Sequence, residues 1–317
     1  MKTALIGYGY WGRNIARTLK EKNIDFTIFD MDKRQIEEAK KSYEFEEYIT
    51  YEDILKSDID SVFIATPPAT HYEVAKKALL ANKHIFVEKP FTLDLEEAYE
   101  LINLAESRNL KYMVDHVFLY SEPVKYLKNH LNEFGEIIYI NSRRINLGLF
   151  QYATDVIWDL AVHDLSIIDY LVGLDIKNVS VFKRKYKNFP NEALANINLE
   201  LESGVIVGID VSWLSPMKVR EMIIGGTKKT ALYDDIIDEK IKLFNAGVTL
   251  ESTKEEARKY LVNYNYGEIE TPQLENSMSL TNAITHFFEC IKEDREPITD
   301  KKSILSVIKA LEIISKV

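Results

Sequence analysis

The chain has 317 residues, more than one hydrophobic core usually spans, which predicts two domains. Its formal charge of −10, with no basic stripe, argues against nucleic acid or an anionic membrane surface as a partner. No apolar run nears the ~20 residues of a membrane helix, no signal-peptide pattern opens the chain, and the single cysteine, Cys290, fits a core residue in a reducing cytoplasm.

In chain order, the first third alternates short apolar runs with amphipathic segments, the pattern of a parallel sheet with crossover helices. Residues 4–6 read as a buried strand, 11–20 as a helix, 26–29 as a strand ending at Asp30, and 32–41 as a helix. Residues 61–65 form the next buried strand, closed by Thr66, Pro67 and Pro68. Thr70 and Glu73 have capping-box spacing at the following helix, and Asp94 and Glu97 repeat it further on. Strands at 84–87 and 111–114 complete the series.

The pattern changes near Tyr120. Between 135 and 245 the strands lengthen, alternate apolar with polar, and turn as hairpins at Ser203-Gly204 and Gly225-Gly226. One helix, 155–172, interrupts them, and helical stretches at 279–292 and 301–316 close the chain. The expectation is an α/β protein: a doubly wound parallel sheet of Rossmann type over 1–119, then an α+β domain over 120–317 with an open-faced, mainly antiparallel sheet.

Gly7-Tyr8-Gly9-Tyr10-Trp11-Gly12 matches G-x-G-x-x-G, follows a predicted strand, opens a predicted helix, and is followed about twenty residues on by Asp30. Gly7 would permit the turn, Gly9 the approach of a pyrophosphate, and Gly12 close helix packing. The Asp30 carboxylate would accept from a ribose hydroxyl and repel a 2′-phosphate, favouring NAD over NADP; Lys33 and Arg34 lie close enough to soften that preference.

In the 155–172 helix, Asp155, Asp159, His163, Ser166 and Tyr170 form a polar stripe opposite Trp158, Ala161, Val162, Leu165, Ile168 and Val172. Asp159 and His163, four residues apart, could pair as carboxylate and general base, although spacing alone favours a stripe that simply faces water. Lys89, between Glu88 and Pro90, follows a strand at the sheet's carboxyl edge, where ligands of open α/β sheets bind. No clustered Cys/His set suggests a metal.

Four segments together resemble the glucose–fructose oxidoreductase/inositol dehydrogenase family over nearly the whole length: the glycine motif, Ala65-Thr66-Pro67-Pro68-Ala69-Thr70-His71, Glu88-Lys89-Pro90, and Asp159-Leu160-Ala161-Val162-His163-Asp164. The resemblance implies nicotinamide held near Thr66, Pro67, Pro68, His71 and the Glu88-Lys89-Pro90 loop, with His116 a further neighbour. It implies substrate contact by Lys89, Asp159 and His163, with His163 the usual acid/base. The stretch from Arg144 to Ser166 is similar to UDP-N-acetylglucosamine 3-dehydrogenases, so the expected substrate is a sugar or sugar nucleotide. Arg143, Arg144 and Arg184 are available to its phosphates. Inositol or a free aldose, and an NAD(H) sensor without turnover, remain alternatives. The apolar rows 197/199/201 and 205/207/209/211 together suggest more sheet surface than one helix hides, hence a homodimer or homotetramer through the second sheet.

Overall fold

The computed structural model describes residues 1–251, 261–265 and 267–317. The chain forms two compact units, Met1–Ser121 with Ser277–Glu312, and Glu122–Asn276 with Ile313–Val317.

The first unit runs β1 (Lys2–Ile6), α1 (Tyr10–Glu21), β2 (Asp25–Phe29), α2 (Lys33–Lys40), α3 (Tyr51–Lys56), β3 (Ser61–Ile64), α4 (His71–Leu80), β4 (His84–Val87), α5 (Leu95–Ser107) and β5 (Tyr112–Val114). All five strands are parallel, in the order β2-β1-β3-β4-β5. The chain leaves β1 for one neighbour and returns to the other side of it at β3, so the switch point lies at the carboxyl ends of β1 and β3. The inner strands are short and apolar on both faces, as a sheet covered on both sides requires; every residue of β3 is buried.

Two local details differ from expectation. Thr70 does not cap α4: a 3₁₀ turn over Pro68–Thr70 precedes the helix. The Thr70 hydroxyl instead reaches the Pro67 carbonyl (2.7 Å) and the Thr66 hydroxyl (2.8 Å). A true capping box sits at Thr50 and Asp53, opening the six-residue α3. Asp94 does cap α5, accepting from the Glu97 amide at 3.0 Å.

The second unit holds α6 (Glu122–His130), β6 (Ile137–Leu147), a π-helical turn (Ile157–Ala161), α7 (Val162–Val172), β7 (Ile176–Lys185), β8 (Glu192–Leu201), β9 (Ile206–Ser212), β10 (Leu214–Gly226), β11 (Thr230–Asp234), β12 (Ile241–Phe244), β13 (Gly247–Glu251), β14 (Leu261–Asn265) and β15 (Ile269–Glu270). Eight of these strands form one sheet, β15-β12-β11-β10-β6-β9-β8-β7, in which β6 and β9 are parallel and the other pairs antiparallel. The two apolar rows lie on one face, because Ile197 pairs with Ile209 and Leu199 with Val207. Ile197, Leu199, Leu201, Val205, Val207, Ile209 and Val211 are all buried, so these rows are core and are not themselves the exposed apolar surface expected of them. That face carries exposed Asn196, Asn198 and Asp210 alongside Tyr139, Phe182, Ile206 and Met217.

The chain ends with α8 (Ser279–Glu293) and α9 (Lys301–Lys316). A division at 119/120 puts both helices in the second domain, whereas residues 277–312 group with the first unit. The physical reason is packing: Phe287 of α8 meets the Phe63 and Phe86 rings of β3 and β4 at 5.5 and 5.6 Å, and those two rings stack at 4.6 Å. Cys290 is fully buried in the same helix, and burial pushes its thiol pKa up.

Candidate active site

In the first unit, the loop from β1 to α1 is built for an anion. Gly7 has φ +96°, and a Cβ there would lie 2.6 Å from the Ala65 carbonyl oxygen. A Cβ on Gly12 would lie 2.1 Å from the Gly7 carbonyl oxygen, so the helix can approach its own loop only as glycine. At Gly9 a Cβ would meet nothing within 4 Å, which leaves open space above the helix start. The first turn of α1 carries no acidic side chain, so its free amides and the positive end of the helix dipole are uncancelled. Tyr10 and Trp11 stand at that helix start, exposed and edge to face at 5.8 Å. A dinucleotide pyrophosphate fits this cradle.

Asp30 closes β2, its two oxygens accepting from the Tyr8 amide (2.7 Å) and the Asp32 amide (2.8 Å). Each oxygen keeps a second lone pair for a ribose hydroxyl. Arg34 is drawn to Asp32 (2.8 Å), leaving it less available to a 2′-phosphate than its sequence position suggests.

The loops after β3 and β4 are tied through His71, which is fully buried. Its Nδ1 faces the Pro90 carbonyl at 2.7 Å and its Nε2 the Thr66 carbonyl at 2.8 Å. Burial holds the ring below its usual pKa, and a neutral ring donates to only one of the two carbonyls. Thr66, Pro67 and Pro68 are thereby clamped against the Glu88-Lys89-Pro90 turn, whose Lys89–Pro90 peptide is cis. Glu88 of that turn and the neighbouring Asp115 and His116 are buried. Burial, then the Lys89 charge, pushes His116 down to about 3, so it is a neutral ring.

In the second unit the helix expected over 155–172 begins as a π turn, a distortion that recurs at functional sites. The polar stripe is turned inward in its middle, where His163 is 8% exposed and Ser166 fully buried, while Asp155, Asp159 and Tyr170 are half-buried. The Trp213 indole N–H donates to Asp159 Oδ2 at 3.0 Å. One residue past His163, Asp164 is enclosed: Arg144 Nε and Nη2 donate to its two oxygens (2.9 and 3.1 Å), and the Ser142 hydroxyl adds a third bond at 2.7 Å. This buried fork pins the first turn of α7 to β6. Arg144 is therefore engaged within the fold and not offered to a phosphate. Arg143 pairs with Glu221 at 2.6 Å, and Arg184 is exposed. An open groove of about 340 Å³ on the outer sheet face includes Arg143, Asn196 and Asp210 but no candidate catalytic residue.

Trp213, Asp164 and Asp115 were not singled out from sequence. Trp213 and Arg144 reach their partners across 54 and 20 residues, distances at which periodicity carries no signal. Among the described residues no group of three His, Cys, Asp or Glu could hold a metal, and no helix is long and apolar enough to cross a membrane.

Residues 1–116 match the model of an oxidoreductase family with an NAD-binding Rossmann fold, GFO/IDH/MocA, and residues 132–232 match that family's C-terminal domain. The chain belongs to the GFO/IDH/MocA family. Within it, a UDP-N-acetylglucosamine 3-dehydrogenase of Acidithiobacillus ferrooxidans is 29% identical over 253 residues, 78% of each chain. A solved structure of that enzyme superposes with a TM-score of 0.85 at 25% identity, covering 99% of this chain and 96% of the other. An inositol 2-dehydrogenase of Salmonella typhimurium is 28% identical over 57% of each chain. Like its GFO/IDH/MocA relatives, this chain is an NAD-binding oxidoreductase.

Proposed function

We propose that this oxidoreductase moves a hydride between nicotinamide and a secondary alcohol on a sugar ring, with a UDP-sugar as substrate and the 3-hydroxyl as the reacting group. The observation that carries the reading is the similarity along 78% of both chains to the UDP-N-acetylglucosamine 3-dehydrogenase. The buried His163, on a helix turn anchored through Asp164, supports a proton-transfer role.

Bound NAD supplies the hydride acceptor. Gly7, Gly9, Gly12 and the first amides of α1 hold its pyrophosphate, with Tyr10 and Trp11 at the rim, and Asp30 takes the ribose. Thr66, Pro67, Pro68, His71, Glu88 and His116 shape the nicotinamide end. His163 takes the hydroxyl proton as the C–H electron pair leaves with its hydrogen, so the carbon becomes a carbonyl. Lys89 donates to the reacting oxygen and stabilises the negative charge that develops there. Asp159, held by Trp213, binds a neighbouring hydroxyl or orients His163.

Self-association as a homodimer or homotetramer belongs to the same proposal, through the outer sheet face that exposes Tyr139, Phe182, Ile206 and Met217. Light scattering checks it, and a mass near 36.7 kDa would exclude it.

The substrate is tested by following nicotinamide reduction with UDP-N-acetylglucosamine, UDP-glucose and myo-inositol in parallel. Turnover of the first is expected. Turnover of inositol alone would overturn the sugar-nucleotide reading, and tight NAD binding with no turnover of any would favour a sensor.

A further inference from the structure

Strands β4 and β5 are paired in register up to Val87 and Val114, so the residues that follow, Glu88 and Asp115, leave the sheet side by side. Both side chains are buried, at 6% and 2% exposure, and each lies within the field of the other. Two ionised carboxylates repel and have no hydrogen to share; a single proton between them would both remove one charge and make a hydrogen bond. The surroundings favour that proton. Among the described residues Glu88 Oε1 and Asp115 Oδ1 have no hydrogen-bond partner, and neither does Nδ1 of the neighbouring His116. His116 stays neutral and supplies no counter-charge. Tyr120, whose hydroxyl burial also keeps protonated, supplies none either. The cation whose field reaches Glu88, Asp115 and His116 is Lys89. One ammonium beside two dry carboxylates leaves an uncompensated buried charge; one ammonium beside a carboxyl–carboxylate pair does not.

We propose that Glu88 and Asp115 share one proton at neutral pH and act as a positioning pair for Lys89, presenting its ammonium with one negative charge in place of two. Only the role of Lys89 in this statement rests on the proposed function. Burial drives both carboxyl groups upward, Glu88 to about 7, opposed by the Lys89 charge and reinforced at Asp115 by Glu88. Such a pair titrates as a unit. Raising the pH would strip the shared proton and put a second negative charge next to Lys89.

Infrared difference spectroscopy on the protein without substrate tests the proton directly. At neutral pH the wild type should show a protonated-carboxyl C=O band that shifts in heavy water. Asp115→Asn should lose it, because the amide then donates to an ionised Glu88, and Glu88→Gln should lose it by the mirror argument. Absence of the band in the wild type, or its survival in both variants, would overturn the proposal. The second readout is the pH profile of kcat: the wild type should lose rate as pH rises through the titration of the pair, and Asp115→Asn should lack that limb whatever its plateau. A limb that persists unchanged in Asp115→Asn would remove the link to Lys89. If no sugar is turned over, the substrate reading fails while the infrared result still stands or falls alone.

Discussion

The two units build their candidate functional residues from different material. In the first unit the nucleotide cradle is mostly backbone: a glycine at positive φ, a helix start without acidic side chains, and carbonyls clasped by His71. In the second unit the candidate residues are side chains held by other side chains distant in sequence: Trp213 for Asp159, Arg144 and Ser142 for Asp164. A backbone site fails when something is added to it. A side-chain site fails when something is removed. That difference decides which substitutions reveal each half.

The largest effect is expected where the second kind of construction is most enclosed. Asp164→Ala leaves the buried Arg144 guanidinium without its fork, and breaking such a pair costs ~3–5 kcal/mol. Denaturant unfolding should show this loss, and a change below ~1 kcal/mol would mean that the fork holds little of α7 in place. Next come the proposed proton carrier and oxyanion donor. His163→Ala and Lys89→Ala should each reduce kcat by ~10²-fold or more while NAD affinity changes little. Near-normal turnover in His163→Ala would take that residue out of the mechanism and leave Lys89 as the leading proton carrier.

Glycine replacements sharpen the contrast from the other side. Gly9→Ala adds a methyl where no atom lies within 4 Å, so thermal stability should hold, while NAD binding weakens ~10-fold, or about 1.4 kcal/mol. Gly12→Ala drives the same methyl into the Gly7 carbonyl and should destabilise the fold itself. Equal melting temperatures for the two variants would contradict this division between cradle and packing. The smallest expected effect is at Asp30. Asp30→Ala should narrow the preference for NAD over NADP in calorimetric titration by about 1 kcal/mol, the scale of one hydrogen bond. Tighter NADP binding by the wild type would reverse the argument and point to Lys33.

Much of the first unit was legible because its signals are local. Apolar runs of four or five residues between glycines, prolines and caps can hardly be anything but strands of a covered parallel sheet, and residues 7–12 carry their turn geometry in their composition. The six-residue α3 escaped because one short turn has no periodicity to detect, although Thr50 and Asp53 announce it. In the second unit, a period near 3.6 cannot separate the π turn at Ile157–Ala161 from the α-helix that continues it. The alternation in 197–201 and 205–211 identified two strands but not that their apolar rows share a face, since register is fixed by pairing. The partners Trp213–Asp159, Arg144–Asp164 and Glu88–Asp115 come from tertiary proximity, which one sequence does not encode at any readable spacing. Helix α8 shows the same limit: its apolar face predicted burial, but only the rings of Phe63 and Phe86 say against which unit.

The burial of Cys290 gives the molecule a built-in reporter. The sequence contains one thiol, and it lies on the buried face of α8 with no exposed surface, so a thiol-specific dye has nothing to label on the folded protein. Labelling can proceed only during excursions that lift α8 from the aromatic core, and its rate then counts those excursions. A cysteine placed at any exposed position would in turn take the dye alone, giving a singly tagged protein without first deleting a native residue.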